Sequence, residues 1–376
     1  MIITAFVPYA LNPLMKYLEK KGHSILYNEF NSEVDIIICG GISQIYKVLK
    51  IWKFIKKNKV KLVNIILDIP LWKLDNNYKY NKFWWYAKQD LYHFIYIQIH
   101  KFQYLKRILN KFKSIINRNN SNKKINNIRT NSVDFYGKPF GYSNPISILY
   151  FKINKDPYNK ISYYKHYRDL LKKSDLNLSI SKFTQKCLKK YLNINSNVWY
   201  PCVDSDLLTT IPKNLDIKFD AINVSRILPH KHQKIFEAAA KKLGLKIVII
   251  GIHQDVSIKL EYPHYCLPFH NDLFKAIVQS RMYVDPSSFE GFGMTPVEAT
   301  FLNKPVIASD IYVHKEVLKD YPLYFKTGDV NDLADKMQLI KDGNYSINTK
   351  TANYIKHKYS VDNSGKHFLN FLETIK

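Results

Sequence analysis

The stretch of sequence that decides the fold is Asp285-Pro-Ser-Ser-Phe-Glu-Gly-Phe-Gly-Met-Thr-Pro-Val-Glu-Ala-Thr300. Apolar residues just before it predict the end of a buried strand, and Gly-Phe-Gly at 291–293 predicts a tight turn. Thr295 and Pro296 then signal a helix start, with the threonine as N-cap and the proline at the first helical position. Such a strand-to-helix turn leaves unpaired N–H groups at the positive end of the helix dipole. The site therefore favours an anion such as a phosphate.

Two carboxylates bracket this turn, Glu290 before it and Glu298 after seven intervening residues. Glu298 has a purely structural interpretation, because Thr295 followed three residues later by a glutamate is a capping box. In that motif the glutamate side chain reaches back to the Thr295 N–H. A ligand-binding role for Glu298 is the alternative, and it depends on the whole string rather than on this residue alone.

The whole string closely resembles the family 4 retaining glycosyltransferases of two-domain GT-B architecture, with their Glu-x7-Glu motif. The resemblance implies that Glu290 contacts the donor sugar and that Glu298 binds the ribose hydroxyls of the nucleotide. It also implies that the amides of the turn meet the sugar or the diphosphate. The donor-binding residues of the turn are then Gly291, Phe292, Gly293, Met294 and Thr295.

A second group of donor-site candidates, Arg226 and Lys231, follows a predicted strand at 219–225. Arginine offers a bidentate fork and lysine a compact charge, and a leaving nucleoside diphosphate needs its charge neutralised as the glycosidic bond breaks. Family members place an arginine and a lysine at this spacing, so the resemblance implies that both bind the diphosphate. We expect Arg226→Ala and Lys231→Ala to lower turnover with little loss of stability.

No metal ion or cofactor is expected. Four cysteines, at positions 39, 187, 202 and 266, form no Cys-x-x-Cys pair, which argues against zinc and for a reducing compartment. Asp204-Ser-Asp206 has the form of the Asp-x-Asp of metal-dependent glycosyltransferases. It follows the Pro-x-Val-Asp turn with which the family commonly ends its first domain, so we interpret it as helix capping. We expect Arg226, Lys231 and the helix N-terminus to do the work of a cation.

The length of 376 residues predicts two domains, since a single core stops growing near about 250–300 residues. Strand and helix patterns alternate along both halves, which indicates βαβ units and parallel sheets. The predicted fold is α/β, with two Rossmann-like doubly wound domains facing each other across a cleft, as in GT-B. We assign acceptor binding to a domain at 1–204 and donor binding to a domain at 205–355. A C-terminal helix at 356–376 is expected to pack back toward the first domain.

Acceptor residues are sought at the carboxyl ends of the first-half strands, where ligands sit in such sheets. Gly40 and Gly41 follow one predicted strand, and Asp68 follows the strand predicted at 62–67. Asp68 is the candidate for orienting the acceptor, against the alternative of a loop aspartate that stabilises its own turn. The glycine-rich loop after the first strand and the histidine near position 68, common in the family, are both replaced in this chain.

The charge of the chain is strongly positive: Lys and Arg outnumber Asp and Glu by 57 to 31, for a net charge of +26. This balance favours polyanionic partners, although a coding bias toward lysine would produce it as well. From Phe83 to Ile116 apolar residues recur every three or four positions behind Trp84 and Trp85, with lysines between them. The stripe fits a basic helix on an anionic membrane surface, or an ordinary helix packed on a sheet. A polar, low-complexity loop is predicted at 117–132.

Neither an 18-residue apolar run nor a basic leader occurs, so we expect a cytoplasmic protein, with peripheral membrane attachment as an open alternative. The predicted activity is the retaining transfer of a hexose-type sugar from a nucleoside-diphosphate sugar. Its acceptor would be a hydroxyl of a glycan, a lipid-linked glycan or a protein. A basic nucleic-acid-binding protein and a nucleotide-sugar epimerase of the same fold are the alternatives, although no helix-turn-helix, zinc or aromatic RNA-binding signature supports the former.

Overall fold

The computed structural model describes residues 1–41, 47–48, 51–67, 162–253, 255, 258–267 and 270–375. These residues form two sheets of six strands, and every strand pair in both sheets is parallel. Helices cover the sheets, so the inner strands are buried on both faces and consist of nearly continuous apolar runs, whereas the edge strands Ser24–Tyr27 and His264–Tyr265 are partly or fully exposed. β3, for example, is Ile-Ile-Ile-Cys-Gly and is buried at every position. The predicted α/β class with two doubly wound sheets is confirmed.

The first sheet has the strand order β2-β1-β3-β4-β5-β6. Its register pairs Ile3 of the first strand with Ile36, and Ile36 with Lys61. Its strands are β1 (Ile2–Phe6), β2 (Ser24–Tyr27), β3 (Ile36–Gly40), β4 (Lys61–Ile66), β5 (Leu176–Ser179) and β6 (Asn197–Val198).

The second sheet has the strand order β12-β11-β10-β7-β8-β9. The register places Met282 opposite Ala221 and Tyr283 opposite Val306. Its strands are β7 (Phe219–Val224), β8 (Ile247–Ile250), β9 (His264–Tyr265), β10 (Ser280–Asp285), β11 (Val306–Ser309) and β12 (Leu323–Phe325).

The helices begin at side-chain caps in several places, as their sequences predict. Ser181 accepts a hydrogen bond from the Thr184 N–H, and Asp204 accepts one from the Leu207 N–H, which confirms the capping interpretation of Asp204. The described helices are α1 (Asn12–Lys20), α2 (Trp52–Asn58), α3 (Ser162–Lys173), α4 (Lys182–Leu192), α5 (Ser205–Thr209), α6 (Gln233–Lys242), α7 (His270–Val278), α8 (Met294–Phe301), α9 (Tyr312–Leu318), α10 (Val330–Lys341), α11 (Thr349–Lys358) and α12 (Val361–Glu373).

The last helix, α12, packs on α1 beside the first sheet. Gly365 permits a close approach, since a methyl group there would lie 2.4 Å from the Tyr17 ring. The Trp199 indole N–H donates to the Ser364 carbonyl over 3.0 Å, and the Ser364 hydroxyl donates to the Tyr200 carbonyl over 2.5 Å. Buried aromatic side chains thus fix the segment that returns from the second sheet to the first.

The start of α8 differs from the prediction. The helix begins at Met294 behind Gly293, which takes a left-handed φ of 84° and offers no side chain as a cap. Thr295 is therefore not the N-cap, Pro296 is the third helical residue rather than the first, and Glu298 lies too far along the helix for a capping box. The physical reason is that a glycine with positive φ turns the chain directly into the helix.

Smaller differences concern element boundaries. The sequence also predicts a helix at 45–57, and in its described part residues 47–48 are helical, Ile51 lies in a turn, and α2 runs from Trp52 to Asn58. Within the C-terminal segment predicted as a helix at 356–376, the final helix runs from Val361 to Glu373, and Ser360 before it accepts a hydrogen bond from the Asn363 N–H. Strand β9 has only two residues and is missing from the prediction.

Several predictions lie outside the described residues: Asp68, the stripe at 83–116 with Trp84 and Trp85, and the loop at 117–132. None of the helices in the described ranges is both long enough and apolar enough to cross a lipid bilayer.

Candidate active site

The strand order of the second sheet places a crevice between β7 and β10. From β7 the chain proceeds outward to β8 and β9 on one side, and then returns to β10 and continues to β11 and β12 on the other. Ligands of open α/β sheets bind at such a switch point, outside the carboxyl ends of the strands. Arg226 and Lys231 follow β7, and the turn at 286–293 follows β10. The predicted donor-site residues therefore meet at one place.

Arg226 stands at the rim of this crevice, two residues after the end of β7. It is exposed, and its guanidinium takes part in none of the ion pairs among the described residues. The neighbouring His230 reports the local charge, since burial, then Lys231 and Arg226, lower its pKa to about 2. His230 is therefore neutral, and a positive field surrounds it. Both features suit a site for an anionic ligand.

A chain of buried amides and hydroxyls holds the backbone of Arg226. The Gln233 side-chain amide donates to the Arg226 carbonyl over 3.0 Å and to the Ser225 hydroxyl over 2.8 Å. Ser225 donates to the side-chain oxygen of Asn223, whose amide donates to the Val284 carbonyl, each over 2.8 Å. The ends of β7 and β10 are thereby joined by side chains as well as by the sheet.

Lys231 ends a short 3-10 turn, Pro229–Lys231, and its side chain runs into the crevice. Its Nζ contacts Glu290 Oε1 directly, and the side chains are only 11% and 13% exposed, respectively. Lys231 and Glu290 were assigned to the donor from separate motifs, and the structure brings them into one buried ion pair.

The turn between β10 and α8 is held at both ends. Asp285 Oδ1 accepts hydrogen bonds from the Ser287 N–H over 3.1 Å and from the Ser287 hydroxyl. The Ser288 N–H donates to the His230 carbonyl over 2.8 Å, which ties the turn to the loop that carries Lys231. The shape of the turn is therefore fixed by groups that precede Glu290.

The N-terminus of α8 faces the crevice without a side-chain cap, because Gly293 precedes it. The first N–H groups of a helix have no partner within it, so Met294 and Thr295 present donors and the positive end of the dipole. Phe292 contributes only backbone, since its ring packs at 5.1 Å from that of Tyr359 and 6.3 Å from that of Tyr200. An anion in the crevice would meet backbone amides here.

Glu298 lies on the second turn of α8 and is partly buried. Burial raises the pKa of its carboxyl group to about 7, and the negative charge of Asp204 adds to the effect. Because α8 begins at Met294, Glu298 does not form the capping box with Thr295 that the sequence suggested.

Behind the turn lies His314, from α9, with no exposed surface. Its Nδ1 is 2.9 Å from the Ser309 carbonyl oxygen, and its Nε2 is 3.7 Å from Asp285 Oδ2. Burial alone would lower the pKa of His314, but the carboxylates of Asp285 and Glu290 outweigh it and raise that pKa. Burial alone would raise the pKa of Asp285, but His314, with Lys231 and Ser287, holds it well below its usual range.

Among the described residues, one group of side chains has the spacing of a metal site. Asp285, Glu290 and His314 each place one potential ligand atom within 4.8 Å of the others. The ammonium of Lys231 already contacts Glu290, and the His314 ring already faces Asp285. An ammonium group of the chain thus lies against this acidic pair.

The turn also touches the first sheet. A methyl group on Gly291 would lie 2.2 Å from the Leu67 carbonyl oxygen, and the Gly291 carbonyl accepts from the Thr184 hydroxyl over 3.3 Å. Leu67 in turn borders Gly41, where a methyl group would lie 3.1 Å from Leu67 Cδ1. Gly41 therefore lies one side chain away from the donor turn, at the carboxyl end of β3.

The other acceptor candidates are less informative. Gly40 is covered by side chains, since a methyl group there would lie 2.8 Å from Pro8 Cδ and 2.9 Å from Leu11 Cδ1. It leaves room for close packing rather than for a ligand at its own α-carbon. Asp68 lies outside the described residues, so its role stays a prediction.

A second contact between the sheets lies beside the turn. Glu316 of α9 accepts from the N–H groups of Lys182 and Phe183, over 2.6 and 3.2 Å, and from the Tyr200 hydroxyl over 2.9 Å. Its carboxylate thus occupies the N-terminus of α4, where negative charge is favourable.

Sequence reasoning missed the cluster beneath the turn. Asp285 was quoted only as the end of a strand, and His314 was not considered. Neither belongs to a motif of fixed spacing. Asp285 is the last residue of β10, and His314 lies on the helix that follows β11, so their sequence signal is an ionisable residue at the end of a strand or on the first turn of the next helix.

Comparison with known proteins gives a consistent result for the second half. Residues 211–358 match the family model "Glycosyl transferases group 1". The O-antigen chain mannosyltransferase RfbU of Salmonella typhimurium is 36% identical over 102 residues, 27% of this chain and 28% of that protein. The N,N'-diacetylbacillosaminyl-diphospho-undecaprenol α-1,3-N-acetylgalactosaminyltransferase of Campylobacter jejuni is 29% identical over 168 residues, 41% of this chain and 44% of that protein. The similarity thus spans less than half the length of these relatives.

Solved structures match over the whole chain. Sucrose-phosphate synthase from Thermosynechococcus elongatus has a TM-score of 0.62 at 10% identity and covers 100% of this chain and 99% of its own. Anabaena Alr3699/HepE in complex with UDP-glucose has a TM-score of 0.57 at 12% identity, with 99% of both chains covered. Identities this low establish the fold alone, and the fold is that of the GT-B glycosyltransferases.

Proposed function

We propose that this protein is a family 4 glycosyltransferase that moves a hexose-type sugar from a nucleoside-diphosphate sugar to a hydroxyl acceptor with retention of configuration. The observation that carries the proposal is the direct contact between Lys231 and Glu290 at the β7/β10 switch point, beside an uncapped helix N-terminus. A phosphate-binding cation and a sugar-binding carboxylate must be neighbours in a site that breaks the bond between a sugar and a phosphate.

In this mechanism the diphosphate lies between Arg226, Lys231 and the first amides of α8. These groups stabilise the negative charge that develops on the leaving phosphate as its bond to the anomeric carbon breaks. Glu290 binds the sugar, and Glu298 accepts hydrogen bonds from the ribose hydroxyls. The acceptor oxygen attacks the anomeric carbon from the face that the phosphate leaves, and the departing phosphate oxygen takes the acceptor proton. No protein base and no metal ion enter the reaction.

The acceptor is proposed to bind at the carboxyl ends of the first-sheet strands, where Gly41 and Leu67 approach the donor turn. A glycan or a lipid-linked glycan is the proposed acceptor, because the names of the two relatives refer to an O-antigen chain and a diphospho-undecaprenol substrate. With such an acceptor the protein would work in the cytoplasm at a membrane surface.

A panel of nucleotides tests the donor class. UDP, GDP, ADP and dTDP are added separately at increasing concentration, and the melting temperature is followed. A nucleotide at 100 times its Kd stabilises the folded protein by about 2.7 kcal/mol. We expect one nucleoside diphosphate to stabilise the protein, and to do so equally in EDTA. If no nucleotide does so, or if the effect requires a divalent metal, the donor-site assignment is wrong.

The corresponding nucleotide sugars then test the reaction. With a hydroxyl acceptor present, NMR should show a product whose anomeric configuration matches the donor. Interconversion of the nucleotide sugar without an acceptor would instead identify an epimerase. Salt-sensitive binding to generic DNA, without a nucleotide effect, would identify a nucleic-acid-binding protein.

A further inference from the structure

We propose that His314 is a positioning residue that serves as a built-in cation beneath the donor turn. Its imidazolium neutralises the charge of Asp285. Lys231 therefore remains available to pair with Glu290 and with the leaving diphosphate. The effect of His314 on donor binding rests on the proposed function. The structural premise, a His314 ring with both nitrogens protonated, can be measured without any substrate.

The protonation state follows from the partners of the two ring nitrogens. Nδ1 is 2.9 Å from the Ser309 carbonyl oxygen, a group that only accepts, so Nδ1 carries a proton. The Ser309 hydroxyl, 3.1 Å from Nδ1, is itself committed as a donor to the Ser287 carbonyl. A neutral ring would then have a bare lone pair on Nε2.

That lone pair would point toward a carboxylate. Nε2 is completely buried, and its nearest charged neighbour is Asp285 Oδ2 at 3.7 Å. Asp285 accepts from Ser287 through its other oxygen, so Oδ2 is available to a cation. A lone pair facing an anion is repulsive, whereas an N–H⁺ facing it is attractive, and this decides for the imidazolium.

The charges around the ring balance only with this proton. Asp285 and Glu290 bring two negative charges within 4.8 Å of the imidazole, and Lys231, on the far side of Glu290, brings one positive charge. On its own helix the neighbouring Lys315 lies 3.8 Å from Asp310 and is exposed. A neutral His314 would leave Asp285 uncompensated in a buried place, where it would attract the ammonium of Lys231.

His314 also touches the turn sterically at both ends. A methyl group on Gly293 would lie 3.7 Å from the His314 ring, and Ser309 links the ring to Ser287. The ring therefore supports the turn that carries Glu290 from below, while it does not line the crevice. It acts on the donor through Asp285 and Lys231, which is why it is a positioning residue.

The first experiment measures the proton itself. Nitrogen-15 NMR of the histidine side chains is recorded at pH 8 without ligand, and the signals of His314 are assigned from their loss in His314→Gln. We expect both ring nitrogens of His314 to be protonated at a pH where an ordinary histidine is neutral. A neutral His314 at pH 8 overturns the proposal, whatever the protein binds or transfers.

The second experiment separates charge from packing. His314→Gln keeps a neutral donor toward Asp285, and Asp285→Asn removes the charge that the imidazolium balances. By analogy with groups that orient a binding side chain from behind, His314→Gln should weaken UDP binding and transfer by about 10–100-fold. The double variant Asp285→Asn/His314→Gln should recover most of that loss.

The controls keep the outcomes distinct. Failure of the double variant to recover any of the loss, with its melting temperature equal to that of His314→Gln, would show that His314 only packs and would overturn the inference. UDP, the nucleotide of the similar Anabaena complex, is first titrated into the wild-type protein. If UDP does not bind, the nucleoside diphosphate that stabilises the protein in the panel replaces it. Failure of all four nucleotides refutes the proposed function, while the NMR result still decides the protonation of His314.

Discussion

The two sheets share an architecture but differ at their carboxyl edges. In the first sheet the described residues at the carboxyl ends of the central strands β3 and β4 are small or apolar: Gly40, Gly41 and Leu67. At the corresponding edge of the second sheet, ionisable side chains lie at or beyond the ends of β7 and β10, namely Arg226, Lys231, Asp285 and Glu290, and Lys231 and Glu290 form an ion pair. The comparison teaches that the parallel sheet supplies the location of a site, whereas the residues just beyond each strand decide its charge and hence its ligand.

The largest expected effect comes from breaking the Lys231–Glu290 pair. Lys231→Met leaves a carboxylate unpaired in a site where the side chains are 11% and 13% exposed. Transfer should fall by about 10²–10³ through the loss of one charge-stabilising group. Breaking a buried pair also costs about 3–5 kcal/mol of stability, an upper value here because the pair retains some solvent contact. The expectation of little stability loss, made from the sequence, is thereby revised.

The double variant Lys231→Met/Glu290→Gln is the control for that prediction. It removes both charges, so urea unfolding should show that most of the lost stability returns while transfer stays low. A double variant as unstable as Lys231→Met would mean that packing around the lysine stem, not the ion pair, holds this edge together.

Arg226→Ala should be the cleaner functional loss. The side chain is exposed and forms no ion pair with the described residues, so the melting temperature should stay within about 1 °C while transfer falls by about 10²–10³. Arg281→Ala is the matched control, since Arg281 is an exposed arginine near the amino end of β10 that pairs with Asp220 at 3.4 Å. An equal loss of transfer activity in the two variants would contradict the assignment of the donor site to the carboxyl edge of the second sheet.

Glu298→Gln should have the smallest effect on nucleotide binding, and the pH dependence of the affinity distinguishes the variant from the wild type. The ionised carboxylate should bind two ribose hydroxyls more strongly than an amide, so the variant should lose about 1–2 kcal/mol of nucleotide affinity at pH 8. Because burial and Asp204 raise the carboxyl pKa to about 7, wild-type affinity should increase from pH 6 to pH 8, and that of the variant should change less.

The contribution of Glu298 to the free energy of unfolding should decrease as the pH rises. A folded-state pKa above the unfolded value means that the folded protein holds the Glu298 proton more tightly between pH 4.5 and pH 7. The stabilising contribution of that proton is therefore present at low pH and is lost as the pH rises toward 7. Calorimetric titration at three pH values and melting curves of both proteins measure the two trends. A wild-type affinity independent of pH would contradict the assignment of Glu298 to the ribose.

The sequence predicted the strands well because their signal is local. Val306–Ser309 and Phe219–Val224 are buried apolar runs, and each was predicted to within one residue at either end. Asn303 takes a left-handed φ of 56°, a conformation that asparagine tolerates better than most residues. Patterns that depend on one segment are visible in one sequence.

The rest of the site depends on contacts between segments. The Thr295–Pro296 start signal was misleading because Gly293 takes a left-handed conformation that no pattern in the string specifies. The approach of His314 to Asp285 depends on the pairing of β10 with β11, and spacing along the chain does not reveal it. The charge balance of a buried cluster depends on which residues are neighbours in the folded structure, and spacing along the sequence does not give that information.

The contacts that Gly291 makes with the first sheet have a thermodynamic consequence. Its carbonyl accepts from Thr184, and its α-carbon lies against the Leu67 carbonyl, so a separation of the sheets at this point would release the donor turn. Two equilibria, closure and donor binding, then share the same few atoms. Thermodynamic linkage makes this coupling reciprocal. The factor by which the nucleotide shifts the equilibrium toward the closed state equals the factor by which closure raises the affinity for the nucleotide. Substitutions at Thr184, on the helix that follows β5 of the first sheet, would thus be read out as changes in the binding of a nucleotide at the second sheet.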